Sequence, residues 1–120
     1  MAEAAMRYAV SPQIVLGHGI LVAGALLADD EMGRAAIHVV VVGKKSDPKS
    51  AELYGLALAI PTSYKRLEWF DASEGPLPNA DVEYPTLDKP AAFFCSGSAC
   101  SLPAFTTEQL ARRIARAGVP

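Results

Sequence analysis

The chain is poor in the residues that announce most functions. It has two cysteines, Cys95 and Cys100, and two histidines, His18 and His38. Two cysteines in 120 residues cannot build the disulfide framework of a small secreted scaffold. A reducing, cytoplasmic setting is therefore the default, and a lone redox-labile pair is the remaining use for them. Excess positive charge is missing as well: eleven Lys and Arg stand against thirteen Asp and Glu, a net charge of -2. That excludes a broad basic face gripping nucleic acid by its phosphates, so no nucleic-acid partner is expected. A clean membrane-length apolar run is lacking too, because Ile14 to Ala28 is interrupted by His18 and three glycines and falls short of the ~18 residues a span needs. The same stretch makes a poor targeting signal: Arg7 and the small-residue step Ala23-Gly24-Ala25 suit one, but Glu3 occupies the region that should be basic. No membrane partner is expected.

What is present is ordinary globular composition tilted towards burial, with 51% apolar and 20% charged residues. Its length suits one α/β domain over residues 1-120. Ser11-Pro12 is an N-cap and first-turn pair, and the spacing predicts a long apolar helix over 12-32, closed near Gly33, within an N-terminal segment 1-33. That helix is apolar nearly all round, which calls for cover on several sides. Gly17, Gly19 and Gly24 would permit a tight helix-helix contact. The expected partner is therefore a second copy of the chain, giving a homo-oligomer, or a missing domain.

Ile37 to Val42 is a continuous β-branched run closed by Gly43, the pattern of a strand buried on both faces. Asp47-Pro48 then opens a helix with Leu53, Leu56, Ala57 and Ile60 on one face, and Tyr64 to Phe70 alternates as a half-exposed strand. Residues 37-70 are thus read as a βαβ unit. Residues 71-90 carry Pro76, Pro78, Pro85 and Pro90 with Gly75 and Asn79, and are read as a long surface loop. In 91-118, Ala91 to Cys95 forms a buried strand, a cysteine loop follows, and Thr106 with Gln109 makes a capping box opening the last helix. Leu110, Ala111, Ile114 and Ala115 should face inward there, with Arg112, Arg113 and Arg116 outward. The expected fold is a small, mostly parallel sheet of about three strands flanked by helices.

Three motifs carry chemistry. Gly43-Lys44-Lys45-Ser46 sits between strand and helix as a phosphate loop would, but His38 stands where a Walker loop needs glycine. Cys95, Cys100, His18 and His38 would suffice for a zinc site. Neither histidine belongs to a short ligand pair, however, so no metal and no cofactor is expected. Cys95 and Cys100 occupy the end of a strand and the loop after it, a position favoured for chemistry in α/β proteins. A reactive thiol wants a helix N-terminus or a nearby cation. Leu102-Pro103 holds the chain extended ahead of the last helix, and the loop contains no Arg, Lys or His. Two buried thiols or a clamping disulfide is the simpler use.

The order VVVVG, a helix opened by Asp47-Pro48, a proline-rich loop, and AAFFCSGSACSLP running into Thr106-Thr107-Glu108 resembles the C-terminal segment of the thioredoxin-domain-containing proteins typified by the spermatogenesis-associated member. The resemblance extends from about Ser11 to the end, and its most specific part is the cysteine motif with Ser101-Leu102-Pro103. It implies a tail module, free-standing or part of a larger protein whose helical toroid would cover the first helix. It carries over Cys95 and Cys100 as a motif, with no established catalytic role. FFCSGSAC and the helix ending at Gly118 also resemble rhodanese-type cysteine loops, although no basic residue closes the loop and no Asp-x-Arg strand precedes it. The sequence thus describes a cytoplasmic accessory or assembly module without independent catalysis. The competing description is a thiol redox or persulfide enzyme with Cys95 as nucleophile and Cys100 as resolving partner.

Overall fold

The computed structural model of the chain describes residues 1–62, 64–76, 83–97 and 99–118. They divide into two compact units, Met1–Ala35 and Ala36–Pro120.

The first unit holds α1 (Ala2–Ala9), α2 (Pro12–His18), a 3-10 turn (Gly19–Val22) and α3 (Ala23–Met32). The single long helix expected over 12-32 is therefore broken. Gly19, the residue closing α2, takes φ 54° and ψ -128°, a conformation open to glycine because it has no Cβ. Ser11 occupies the N-cap position ahead of Pro12, but its side chain makes no capping bond. A methyl group on Gly17, Gly19 or Gly24 would meet nothing within 4 Å, so the close approach expected at these glycines is not made within the chain. Leu16, Ile20 and Leu21 are 85%, 88% and 84% exposed. The sequence reading took the apolar run as too short for a span; by length and composition, however, Pro12–Met32 is long and apolar enough to cross a membrane, with an 18-residue window of mean hydropathy 1.4.

The second unit is a four-stranded mixed sheet ordered β2-β1-β3-β4. Its elements are β1 (Ile37–Val42), α4 (Pro48–Leu58), β2 (Lys65–Phe70), β3 (Ala91–Ser96), β4 (Ala99–Cys100) and α5 (Thr107–Arg116). The βαβ expectation holds, with β2 parallel to β1. The mostly parallel sheet of about three strands does not, because β3 is antiparallel to β1 and β4 is antiparallel to β3. The connection after β2 explains the reversal. It leaves from Phe70, the partner of Val42, and returns beside Val42 at Ala91. Phe70 and Ala91 thus stand at the same end of β1, and β3 runs back from there. Gly97, at φ 59°, then turns the chain into β4, which the sequence reading missed. Of the predicted 71-90 loop, Pro78 and Asn79 lie outside the described residues. Its described part includes a 3-10 turn, Ala72–Glu74, and packs Tyr84 on Phe70 with ring centroids 5.4 Å apart.

Side-chain alternation divides the sheet into two faces. On one, Ile37, Val39, Val41, Ala92 and Phe94 meet Leu53 and Ala57 of α4 and Leu110 and Ile114 of α5, forming the main core. On the other lie His38, Val40, Glu68, Phe93, Cys95 and Cys100. Val39, Val40 and Val41 are all buried, so β1 is enclosed on both sides as its unbroken β-branched run implies. Asp47 Oδ1 accepts from the Lys49 amide at 2.9 Å, and Pro48 fills the first turn of α4. In α5, Thr106 Oγ1 accepts from the Gln109 amide at 3.2 Å, while Gln109 Oε1 accepts from the Phe105 amide at 2.8 Å. The inner face of α5 is narrower than expected: Ala111 and Ala115 are exposed. Arg113 does not point outward; it is half-buried and donates from Nη2 to the Pro103 carbonyl at 3.0 Å.

Candidate functional site

Cys95 and Cys100 are direct cross-strand partners in the β3-β4 pair. Their Cα atoms are 4.0 Å apart and their sulfurs are bonded. Cys95 is half-buried and Cys100, on the outermost strand, is exposed. The segment after Cys100 is tied back to β3. The Ser101 amide donates to the Phe94 carbonyl at 2.7 Å, and the Phe94 amide donates to Ser101 Oγ at 3.2 Å. Ala92 and Ala104 then exchange two backbone bonds of 2.8 Å. This bridge keeps Leu102-Pro103 extended, so α5 begins only at Thr107 and its N-terminus does not support the thiols.

The other neighbour of Cys95 is His38, its registered partner in β1. Arg66 is in turn the partner of His38 in β2. Arg66, His38, Cys95 and Cys100 thus form one row across the sheet, on the face opposite α4 and α5. Directly opposed residues on one face hold their Cβ atoms about 4.5–5.5 Å apart, within reach for interaction. The loop has no ionisable neighbour of its own, but the sheet supplies one.

Glu68 anchors this row. Its carboxylate accepts from His38 Nε2 at 2.9 Å, from the Tyr84 hydroxyl and from Arg66 Nη2. Burial opposes its charge, but the hydrogen bonds from Tyr84, His38 and Arg66 outweigh that cost and hold its carboxyl below the ordinary value. Tyr84 is shifted the opposite way: burial, then its bond to Glu68, pushes the phenol well above its ordinary range. Sequence reasoning missed Glu68, Tyr84 and Arg66, and it considered His38 only as a zinc ligand and at the position a Walker loop would need for glycine. The one available sign was the alternation of His38, Arg66 and Glu68 on even-numbered strand positions, which acquires meaning only once the register is known.

The other motifs separate. His18 belongs to the first unit, where Nδ1 pairs with the Ile14 carbonyl at 3.0 Å. Among the described residues no three or more His, Cys, Asp or Glu side chains gather as a metal cluster. Gly43-Lys44-Lys45-Ser46 is a clamped strand-helix turn. Trp69 Nε1 donates to the Gly43 carbonyl at 3.1 Å, the Lys45 amide donates to Asp71 Oδ2 at 2.8 Å, and Lys45 Nζ pairs with Glu74 at 2.7 Å. Hydrogen bonds from Ser73 and the Lys45 amide hold the Asp71 carboxyl below its usual value.

No family model, curated protein or solved structure matches the chain. The chemistry is therefore read from these residues.

Proposed function

We propose that the chain is an accessory domain whose working feature is a reversible thiol–disulfide pair, Cys95 and Cys100. The observation that carries this reading is the row in which His38 stands opposite Cys95 and the bonded partner Cys100 lies exposed on the outermost strand. An incoming thiolate attacks the Cys100 sulfur, the Cys95–Cys100 bond breaks, and Cys95 leaves as a thiolate beside the His38 imidazole. A second thiol then attacks the incoming group's sulfur, releasing Cys100 as a thiol and the two small thiols as their disulfide. In a cytoplasm, where glutathione keeps most thiols reduced, the pair would cycle instead of serving as a permanent staple. The C-x4-C motif is also the most specific part of the resemblance to the thioredoxin-domain-containing proteins, and the reading assigns that motif a use without adding a cofactor.

The test is equilibration of the full chain in glutathione redox buffers, followed by thiol alkylation and mass measurement. Oxidised and reduced forms should both be populated within the range of cellular buffers, below the strength of a structural disulfide resistant to the glutathione pool. A bond that stays closed throughout would sink the proposal.

A second reading, a pure assembly module with Cys95–Cys100 as a fixed clamp, is favoured by the first unit. Its exposed Leu16, Ile20 and Leu21 suit cover by a second copy or by a partner domain.

A further inference from the structure

A cavity of about 320 Å³ opens between β4 and the last turns of α5, lined by Cys100, Ser96, Ser101, Phe94, Arg113 and Arg116. It lies on the α5 side of the sheet, whereas the Cys100 sulfur lies on the other face of this outermost strand. A thiol anchored here would therefore approach that sulfur around the edge of β4, in line with the Cys95–Cys100 bond. The cavity's volume suits a small molecule. Its chemistry is one-sided, with two guanidinium groups, two serines and an aromatic ring, and no carboxylate among the described lining residues. Arg113 is only partly engaged. Nη2 donates to the Pro103 carbonyl, whereas Nε is buried with no hydrogen-bond partner among the described residues. A buried donor of a charged group is costly to leave unmade. A planar fork with unused N–H groups is the natural complement of a carboxylate.

We propose that this cavity receives the carboxylate-bearing end of a low-molecular-weight thiol, and so selects an anionic partner for exchange at the Cys95–Cys100 bond. The inference rests on the thiol–disulfide reading above and names its substrate class. The anchored thiol, as thiolate, forms a mixed disulfide with the Cys100 sulfur while Cys95 departs as thiolate. A second molecule of the same thiol forms the small-molecule disulfide and leaves both cysteines reduced. Two thiols are oxidised and one protein disulfide is reduced, with no other reactant. The serines would supply neutral donors to the same anion, and Phe94 an apolar floor.

The test compares second-order reduction rates of the oxidised full chain by glutathione, which carries carboxylates, and by neutral 2-mercaptoethanol, each expressed per thiolate. Glutathione should react about tenfold faster, the advantage expected of one good charge-assisted contact, and added salt should shrink that advantage. Arg113→Gln should lower the glutathione to 2-mercaptoethanol rate ratio. Because Arg113 also holds the Pro103 carbonyl, the exposed Arg116→Glu serves as a second variant expected to lower the ratio without disturbing that bond. Equal rates for the two thiols, or a ratio unchanged in both variants, would overturn the cavity's role while leaving the exchange reading standing. Failure of every thiol to open the bond would overturn both.

Discussion

Gly43 shows how closely single residues are specified where β1 hands over to α4. It sits at φ 153°, and a Cβ there would lie 2.5 Å from Ser50 Oγ and 3.0 Å from Pro90 Cβ. Gly43→Ala should therefore destabilise the chain by about 2 kcal/mol, from combined backbone strain and overpacking, as read by the denaturant midpoint at unchanged slope. Glu68 invites a different test. Its folded carboxyl is held below the ordinary 4.5, so its contribution to stability is fully present above that pH and is lost as the pH falls through the lower folded value. Asp71 and Glu108 are lowered as well and act in the same direction. The unfolding free energy should thus decline on acidification from about pH 4.5, and Glu68→Gln should flatten part of that decline. An acid profile for Glu68→Gln that superimposes on the parent's would show that the carboxylate cluster is energetically silent. Neither expectation was legible in the local sequence: Gly43 read as the end of a strand at a strand-helix turn, and Glu68 as one charged position in a half-exposed strand.

Among the elements, the β3-β4 hairpin is the one that the disulfide serves. The loop it closes is short, so the entropy removed from the unfolded chain is modest, about 2 kcal/mol on the chain-entropy account. Cys95→Ser with Cys100→Ser should lower stability by that order. Amide exchange should accelerate first at Ser101, whose bond to Phe94 secures the end of β4, while the enclosed β1 amides stay protected. Uniform acceleration across the whole sheet would instead mean that the clamp holds the fold and not merely the hairpin. The two capped helices were readable in advance, because Asp47-Pro48 and Thr106 with Gln109 act through neighbours at most four residues away. Thr106→Ala should cost α5 about 1 kcal/mol. The break inside 12-32 was less readable, since three glycines fit equally well with a close-packed helix and with a turn at one of them.

For the whole molecule, the exposed apolar residues of the first unit set the behaviour to expect in solution. Leu16, Ile20 and Leu21 are far more exposed than an isolated compact domain can comfortably leave three neighbouring large side chains. The chain should associate with itself at micromolar concentration, and Leu16→Glu with Leu21→Glu should shift the species seen by light scattering towards monomer. A parent chain that stays strictly monomeric across that range would argue against self-association through this segment.

Local rules were enough to establish the α/β class, the parallel β1-α4-β2 unit, the buried character of β1, the starts of α4 and α5, and the extended path of Leu102-Pro103. Each follows from side-chain period, proline geometry or capping, and these act over a few residues. The direction of β3, the presence of β4 and the row of Arg66, His38, Cys95 and Cys100 depend on strand register, and the inward turn of Arg113 depends on the Pro103 carbonyl it meets. Register is a property of pairing between distant segments, so no window of the chain contains it. The sequence read alone denied Cys95 any ionisable neighbour, and antiparallel pairing with β1 supplied His38.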